Sequence, residues 1–165
     1  DMIYALGRVD PSRYANVIRV MTVEEMLKNA LELISKNKYD VVISVAAISD
    51  YRPKKAHKGK IPSRIKDLTI ELEPTPKVIE EIRRVYNGLL VIFKTEALTG
   101  RRLIEEAVKR MEEVKADIVV ANPITAFSAD YTEAYIIKRG DRPIHVKGSK
   151  KEIAEELLNV ISSSL

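Results

Sequence analysis

Asp50 stands where an apolar run gives way to a polar loop. Val41 to Ala47 reads as a fully buried strand, Ile48-Ser49-Asp50-Tyr51-Arg52-Pro53 follows it, and Lys60 comes ten residues after Asp50. A carboxylate at the carboxyl end of a buried parallel strand lies where open α/β sheets bind their ligands. A lysine on the loop beyond supplies a mobile point charge suited to phosphate. The placement recurs downstream, where Phe93-Lys94 ends the apolar run 89–93 and Asn122 ends the run 117–121. In a parallel sheet all three strand ends face one crevice, which points to a nucleotide or a phosphorylated substrate. Each residue also has a structural reading by itself: Asp50 as a turn cap, Phe93 as core, and Asn122 as an Asx-turn before Pro123.

Other chemistries lack their residues. The six glycines, Gly7, Gly59, Gly88, Gly100, Gly140 and Gly148, are too scattered for a G-x-G-x-x-G or Walker A loop. The chain has no cysteine, so disulfides, thiolate metal sites and a cysteine nucleophile are excluded. Its two histidines follow no carboxylate pattern. His57 reads as solvated in a Lys-rich loop, and His145 as a surface or packing residue in a hairpin, so no zinc site is expected. The formal charge of +4 comes from 28 basic and 24 acidic residues interspersed along 165 positions. Without a basic block interleaved with aromatics, nucleic acid is not the expected partner. No apolar stretch reaches the ~20 residues of a membrane span, and the expected compartment is the cytoplasm.

The elements that must position these residues follow from periodicity. Ile3 to Leu6 reads as a strand turning at Gly7. Thr22 and Glu25 form a capping box before a helix presenting Val23, Met26, Leu27, Ala30, Leu31 and Ile34. A Lys- and Pro-rich loop covers 51–66, and Leu68, Ile70 and Leu72 alternate with polar residues as a half-exposed strand, an arm or flap outside the main sheet. Thr75-Pro76 reads as an N-cap with proline at the first helical position, and Asn87-Gly88 closes that helix. Another helix carries Leu103 to Val114. Residues 133–139 and 143–147 flank Gly140-Asp141 as a C-terminal hairpin, and Ser149 with Glu152 caps the last helix. The expectation is one α/β domain over 1–165: a three-layer, Rossmann-like, mostly parallel sheet with helices on both faces, an arm and a C-terminal hairpin.

These residues also carry a resemblance. Ala46-Ala47-Ile48-Ser49-Asp50-Tyr51-Arg52 resembles the A-A-x-x-D-Y-R segment of phosphopantothenoylcysteine synthetase, the phosphopantothenate–cysteine ligase family. Lys60-Ile61 is similar to its K-I-K segment, Leu68 to Leu72 with Pro74-Thr75-Pro76-Lys77 to its arm, Phe93-Lys94-Thr95-Glu96 to G-F-K/A-A/T-E, and Ala121-Asn122 to A-N. The resemblance implies a two-step ligation. CTP activates the carboxylate of 4′-phosphopantothenate as an acyl-cytidylate, with magnesium accompanying the triphosphate, and the amine of L-cysteine then displaces CMP. FMN would enter with a fused decarboxylase domain upstream. By the same resemblance, Asp50 meets the ribose or base, and Ala46 and Ala47 let backbone approach the base. Lys60 is the catalytic cation, Pro76, Lys77, Val78 and Ile79 offer an anion-binding helix start, and Phe93 packs on the pyrimidine. Arg110 or Lys115 contacts the triphosphate, and Asn122 holds the crevice. The resemblance also implies a homodimer through the 68–72 arm.

Three departures stand out. Pro62 replaces the second lysine of K-I-K, Ile92 replaces the glycine before Phe93, and the family's N-terminal glycine-rich strand–turn–helix has no counterpart in 1–165. Two other readings stay open: a catalytically inactive nucleotide-binding or dimerisation module of the same protein, and an unrelated Rossmann-like nucleotide-binding protein.

Overall fold

A computed structural model of the protein describes residues 1–5, 13–55, 59–127 and 129–165. The expected strand end at Leu6, the turn at Gly7 and the solvated His57 lie outside the described residues. In chain order the elements are β1 (Met2–Tyr4), β2 (Val17–Arg19), α1 (Val23–Lys36), β3 (Val41–Ser44), β4 (Tyr51–Pro53), β5 (Leu72–Pro74) and α2 (Val78–Val85). There follow β6 (Leu89–Glu96), α3 (Gly100–Glu113), β7 (Ile118–Pro123), β8 (Tyr131–Lys138), β9 (Ile144–Ser149) and α4 (Lys150–Ser162).

The central sheet has the order β3-β6-β7-β8-β9. Its first three strands are parallel, and β8 and β9 extend it as an antiparallel hairpin. Period-two side chains then divide the core into two layers. Leu90, Ile92, Val119 and Ala121 pack on one face with Leu103, Ala107 and Met111 of α3 and Val78 and Ile82 of α2. Val91, Ile118 and Val120 pack on the other with Ile153, Leu157, Val160 and Ile161 of α4. Each fully buried Leu or Ile contributes roughly 1.5–3 kcal/mol of transfer free energy. Both expected capping boxes form: Thr22 Oγ1 accepts from the Glu25 N–H at 3.1 Å, and Ser149 Oγ from the Glu152 N–H at 3.2 Å. Among the described residues, no helix is long and apolar enough to cross a membrane.

Four expectations change. The strand at 41–47 is neither so long nor fully buried: β3 ends at Ser44, and Ile43 is 43% exposed. Among the described residues it is the edge of the sheet, hydrogen-bonded on one side. The arm is built differently too. β4, expected as loop, pairs antiparallel with β5, whose strand begins at Leu72; the Lys54 N–H donates to the Glu71 carbonyl at 3.0 Å just beyond, and residues 68–70 lie outside any strand. Thr75 is not the N-cap of α2, a position taken by Lys77 without a side-chain cap bond. Finally, β2 was missed, because three β-branched and basic residues are too short a run to show a period. It pairs parallel with β1 as a separate sheet. Between β1 and β3 lies an open groove of about 1020 Å³ lined by Met26, Ala30, Leu33 and Ile34 of α1.

The amino end of the sheet is fixed by one charged cluster. Asp117 Oδ2 accepts from the Leu90 N–H at 2.8 Å and from Arg83 Nη1 at 3.1 Å, while Arg83 Nη2 donates to the carbonyls of Gly88, at 3.1 Å, and Tyr86. Gly88 is needed for space, since a Cβ there would meet the Tyr86 hydroxyl at 2.3 Å. Arg83→Ala leaves a half-buried carboxylate and two carbonyls short of a donor, and should lower stability by about 2 kcal/mol. Urea unfolding of the variant measures this, and an unchanged midpoint would show the cluster to be ornamental.

Candidate functional site

The carboxyl ends of β3 and β6 and the start of α2 enclose a pocket of about 160 Å³. Its construction begins with Thr75, which is 6% exposed. The Thr75 N–H donates to the Asp50 carbonyl at 3.0 Å, and its hydroxyl donates to the Ser49 carbonyl at 2.5 Å. Both bonds tie the exit of β3 to the approach of α2. Ala46, Ile48 and Asp50 therefore face Pro76, Lys77, Val78 and Ile79 across the cavity. The free N–H groups of the first turn of α2 and its dipole favour an anion there.

Of the residues expected to form a site, the structure gathers Ala46, Asp50, Pro76, Lys77, Val78, Ile79, Phe93 and Arg110 around this pocket. Phe93 also packs against the α4-side core. Ala47 lines the neighbouring groove instead. Lys60 lies on the exposed connection between β4 and β5 and is not among the lining residues. Lys115 is exposed at the end of α3, in the left-handed region with φ 54°, just before β7 begins. That is the amino end of the strands, away from the pocket, because α3 runs back antiparallel to β6. Asn122 shares the α4 face of the sheet with Val120, and its Nδ2 donates to Thr95 Oγ1 at 3.0 Å. His145, expected without a carboxylate, sits 2.9 Å from Glu133 Oε2 across the hairpin and stacks on Tyr135 at 4.4 Å. Cross-strand register makes that pair, which linear spacing does not show.

Sequence reasoning gave Thr75 no place in a site, and put Lys94 at the strand-end crevice without a role of its own. Lys94 points to the same face as Ile92 and lines the pocket. The signal for it was available: two residues along a strand return to the same face.

The charges around the pocket are paired. Lys77 Nζ is 2.5 Å from Asp50 Oδ1, Lys94 Nζ is 2.6 Å from Glu96 Oε1, and Arg110 Nη1 is 3.4 Å from Glu80 Oε1 and 3.2 Å from Glu113 Oε2. The hydrogen bond and charge of Lys77, followed by the charges of Arg110 and Lys94, hold the Asp50 carboxyl below its ordinary value. The described residues contain no group of three His, Cys, Asp or Glu placed to hold a metal ion.

A depressed carboxyl pKa means that the folded state favours the ionised Asp50. The stabilising contribution is present above the unfolded-state pKa and is lost as pH falls through the lower folded value. Carboxyl-carbon NMR should therefore show Asp50 titrating below the range of an unstructured aspartate. Lys77→Met should return it upward, and an Asp50 already titrating normally in the wild type would contradict the pair.

Residues 1–165 match the family of the DNA/pantothenate metabolism flavoprotein C-terminal domain. The chain is similar to the coenzyme A biosynthesis bifunctional protein CoaBC of Thermococcus kodakarensis, 38% identical over 157 residues that cover 94% of this chain and 39% of that protein. It is 36% identical to the protein of the same name from Methanocaldococcus jannaschii over 165 residues, 98% of this chain and 40% of that one. It thus spans about two fifths of the length of these curated relatives. Among solved structures it is similar to the DNA/pantothenate metabolism flavoprotein from Streptococcus pneumoniae, with a TM-score of 0.83 and 25% identity over 99% of this chain and 80% of that one.

Proposed function

The chain belongs to the family of the DNA/pantothenate metabolism flavoprotein C-terminal domain, and on that premise we propose that it is the ligase portion of a coenzyme A biosynthesis enzyme. It joins 4′-phosphopantothenate to L-cysteine in the cytoplasm, with CTP as the activating nucleotide. The observation that carries this reading is the pocket itself, with Asp50 on one wall, the start of α2 on the other and three cations at its rim.

The chemistry asks for position and charge rather than for a strong nucleophile. The pantothenate carboxylate attacks the α-phosphorus of CTP and pyrophosphate leaves; the cysteine amine then attacks the acyl carbon and CMP leaves. Asp50 accepts from the nucleotide's ribose or base. The small side chains of Ala46 and Ala47 leave the backbone open to the base, and Phe93 flanks it at the end of β6. The N–H groups at the start of α2 and the cations Lys77 and Arg110 meet anionic oxygens. Lys60 acts on the phosphate charge that develops during acyl transfer. Asn122 acts by holding β6 and β7 together through Thr95, and Arg110 rather than Lys115 meets the triphosphate. Magnesium travels with the nucleotide, and FMN belongs to a separate decarboxylase portion.

Two structural features extend the reading. The arm exposes Tyr51, Ile65, Leu68, Ile70 and Leu72, which supports a homodimer formed by pairing arms across a two-fold axis. The open groove between β1 and β3 supports a further strand as part of the complete domain, as expected of an N-terminal glycine-rich segment. A second reading, a module that binds nucleotide without turnover, is favoured by Lys60 not being among the residues that line the pocket.

Titration calorimetry with CTP and with ATP tests the nucleotide. Saturable binding selective for CTP is expected, and Asp50→Asn should weaken it while leaving the fold intact. Equal binding of ATP, or normal CTP binding by the variant, would remove the base-recognition role. In the active enzyme, Lys60→Ala should slow pyrophosphate release by ~10²-fold, the scale of losing one placed electrostatic stabiliser. An unchanged rate would remove Lys60 from the mechanism.

A further inference from the structure

Lys94 is the cation at the pocket that the proposed reaction leaves without a task. It sits on the α3 face of β6, two residues before the strand ends. Its side chain is 29% exposed and its partner Glu96 33%. Lys94 and Glu96 are two apart on one strand, so they share a face, and Glu96 lies further along, past Ser44 and Ile92. Arg110 reaches the same cavity from α3 and is held in the same manner by Glu80 and Glu113. The charges of Arg110 and Lys94 both act on Asp50, which places all three around one space.

Each cation at the cavity therefore has a carboxylate from its own chain. Half-exposed pairs of this kind are weak and readily exchanged. A polyphosphate offers more charge and more oxygens than one carboxylate, and bonds between ionised partners are the stronger class. We propose that Lys94, together with Arg110, receives the polyphosphate of the nucleotide, and that Glu96 is the internal competitor holding Lys94 while the pocket is empty. Binding is then an exchange of ion pairs, and Glu96 sets how tightly the anion is held. This rests on the nucleotide reading of the pocket but can be tested apart from it.

The test uses titration calorimetry in magnesium-free buffer with inorganic triphosphate, inorganic phosphate, cytidine and CTP, on the wild type, Lys94→Gln and Glu96→Gln. The wild type should bind triphosphate more tightly than phosphate. Lys94→Gln should weaken triphosphate about tenfold, and Glu96→Gln should tighten it roughly three- to tenfold, as removal of a competing charge-assisted partner requires. Cytidine affinity should be the same in all three proteins. A gain of affinity cannot come from a damaged fold, so Glu96→Gln keeps the proposal falsifiable if Lys94→Gln folds poorly. Triphosphate affinity unchanged or lowered by Glu96→Gln, or phosphate bound as tightly as triphosphate, overturns the exchange. If CTP binds selectively and both variants leave it untouched, this inference fails and the nucleotide reading survives. If triphosphate responds as expected while CTP binds no tighter than triphosphate, the anion site stands and the base pocket is lost.

Discussion

Thr75 is the residue on which the site depends. Its N–H and its hydroxyl reach two consecutive carbonyls, those of Asp50 and Ser49. The chain leaves the central sheet at β3, makes the whole arm, and returns to begin α2 a few residues from where it left. Without that double bond the two ends of the excursion would be free to separate, and Asp50 would no longer face Lys77. A buried hydroxyl with both its own and its backbone donor satisfied suits this work, because an unpaired polar group in that place would be costly.

The electrostatics of the pocket follow from the same closure. With the loops tied, cations from a loop, a strand and a helix meet over a small volume, and each is met by an acid from nearby. The net charge of the chain, +4, hides this local balance. A site that binds an anion by exchange differs from one with bare lysines. It is quiet when empty, attracts less non-specific polyanion, and is tuned by its acids as much as by its bases.

Much of this was legible in sequence, for identifiable reasons. Both capping boxes are local, three residues wide, and were read correctly. The helices and the continuous apolar strands 89–93 and 117–121 follow strong periodicities, and the sheet with helices on both faces follows from their alternation. The extent and burial of β3 were overread because an apolar run looks the same at the centre of a sheet and at an edge beside a groove. Thr75 before Pro76 carried a capping signal, yet its hydroxyl found a partner 26 residues back along the chain, which local pattern cannot register. Asp50 and Phe93 line one pocket as the strand-end argument expected, and the start of α2, which only the resemblance implied, joins them there. Asn122 sits at the expected strand end but on the opposite face from Lys94, a matter of parity that a clear register for β7 would have fixed. Lys115 was placed by proximity along α3, without allowing for the direction in which that helix runs.

The groove between β1 and β3 bears on how this chain behaves in the test tube. Apolar walls from β1, β3 and α1 line an open groove, β3 is an edge strand among the described residues, and the arm adds a row of uncovered Leu and Ile side chains. Unpaired strand edges are templates for other chains. Handled as these 165 residues alone, the protein should have a concentration ceiling set by edge-to-edge sticking. Its shelf life, its yield and its tendency to cloud on warming would then report on the open flank rather than on the stability of the core.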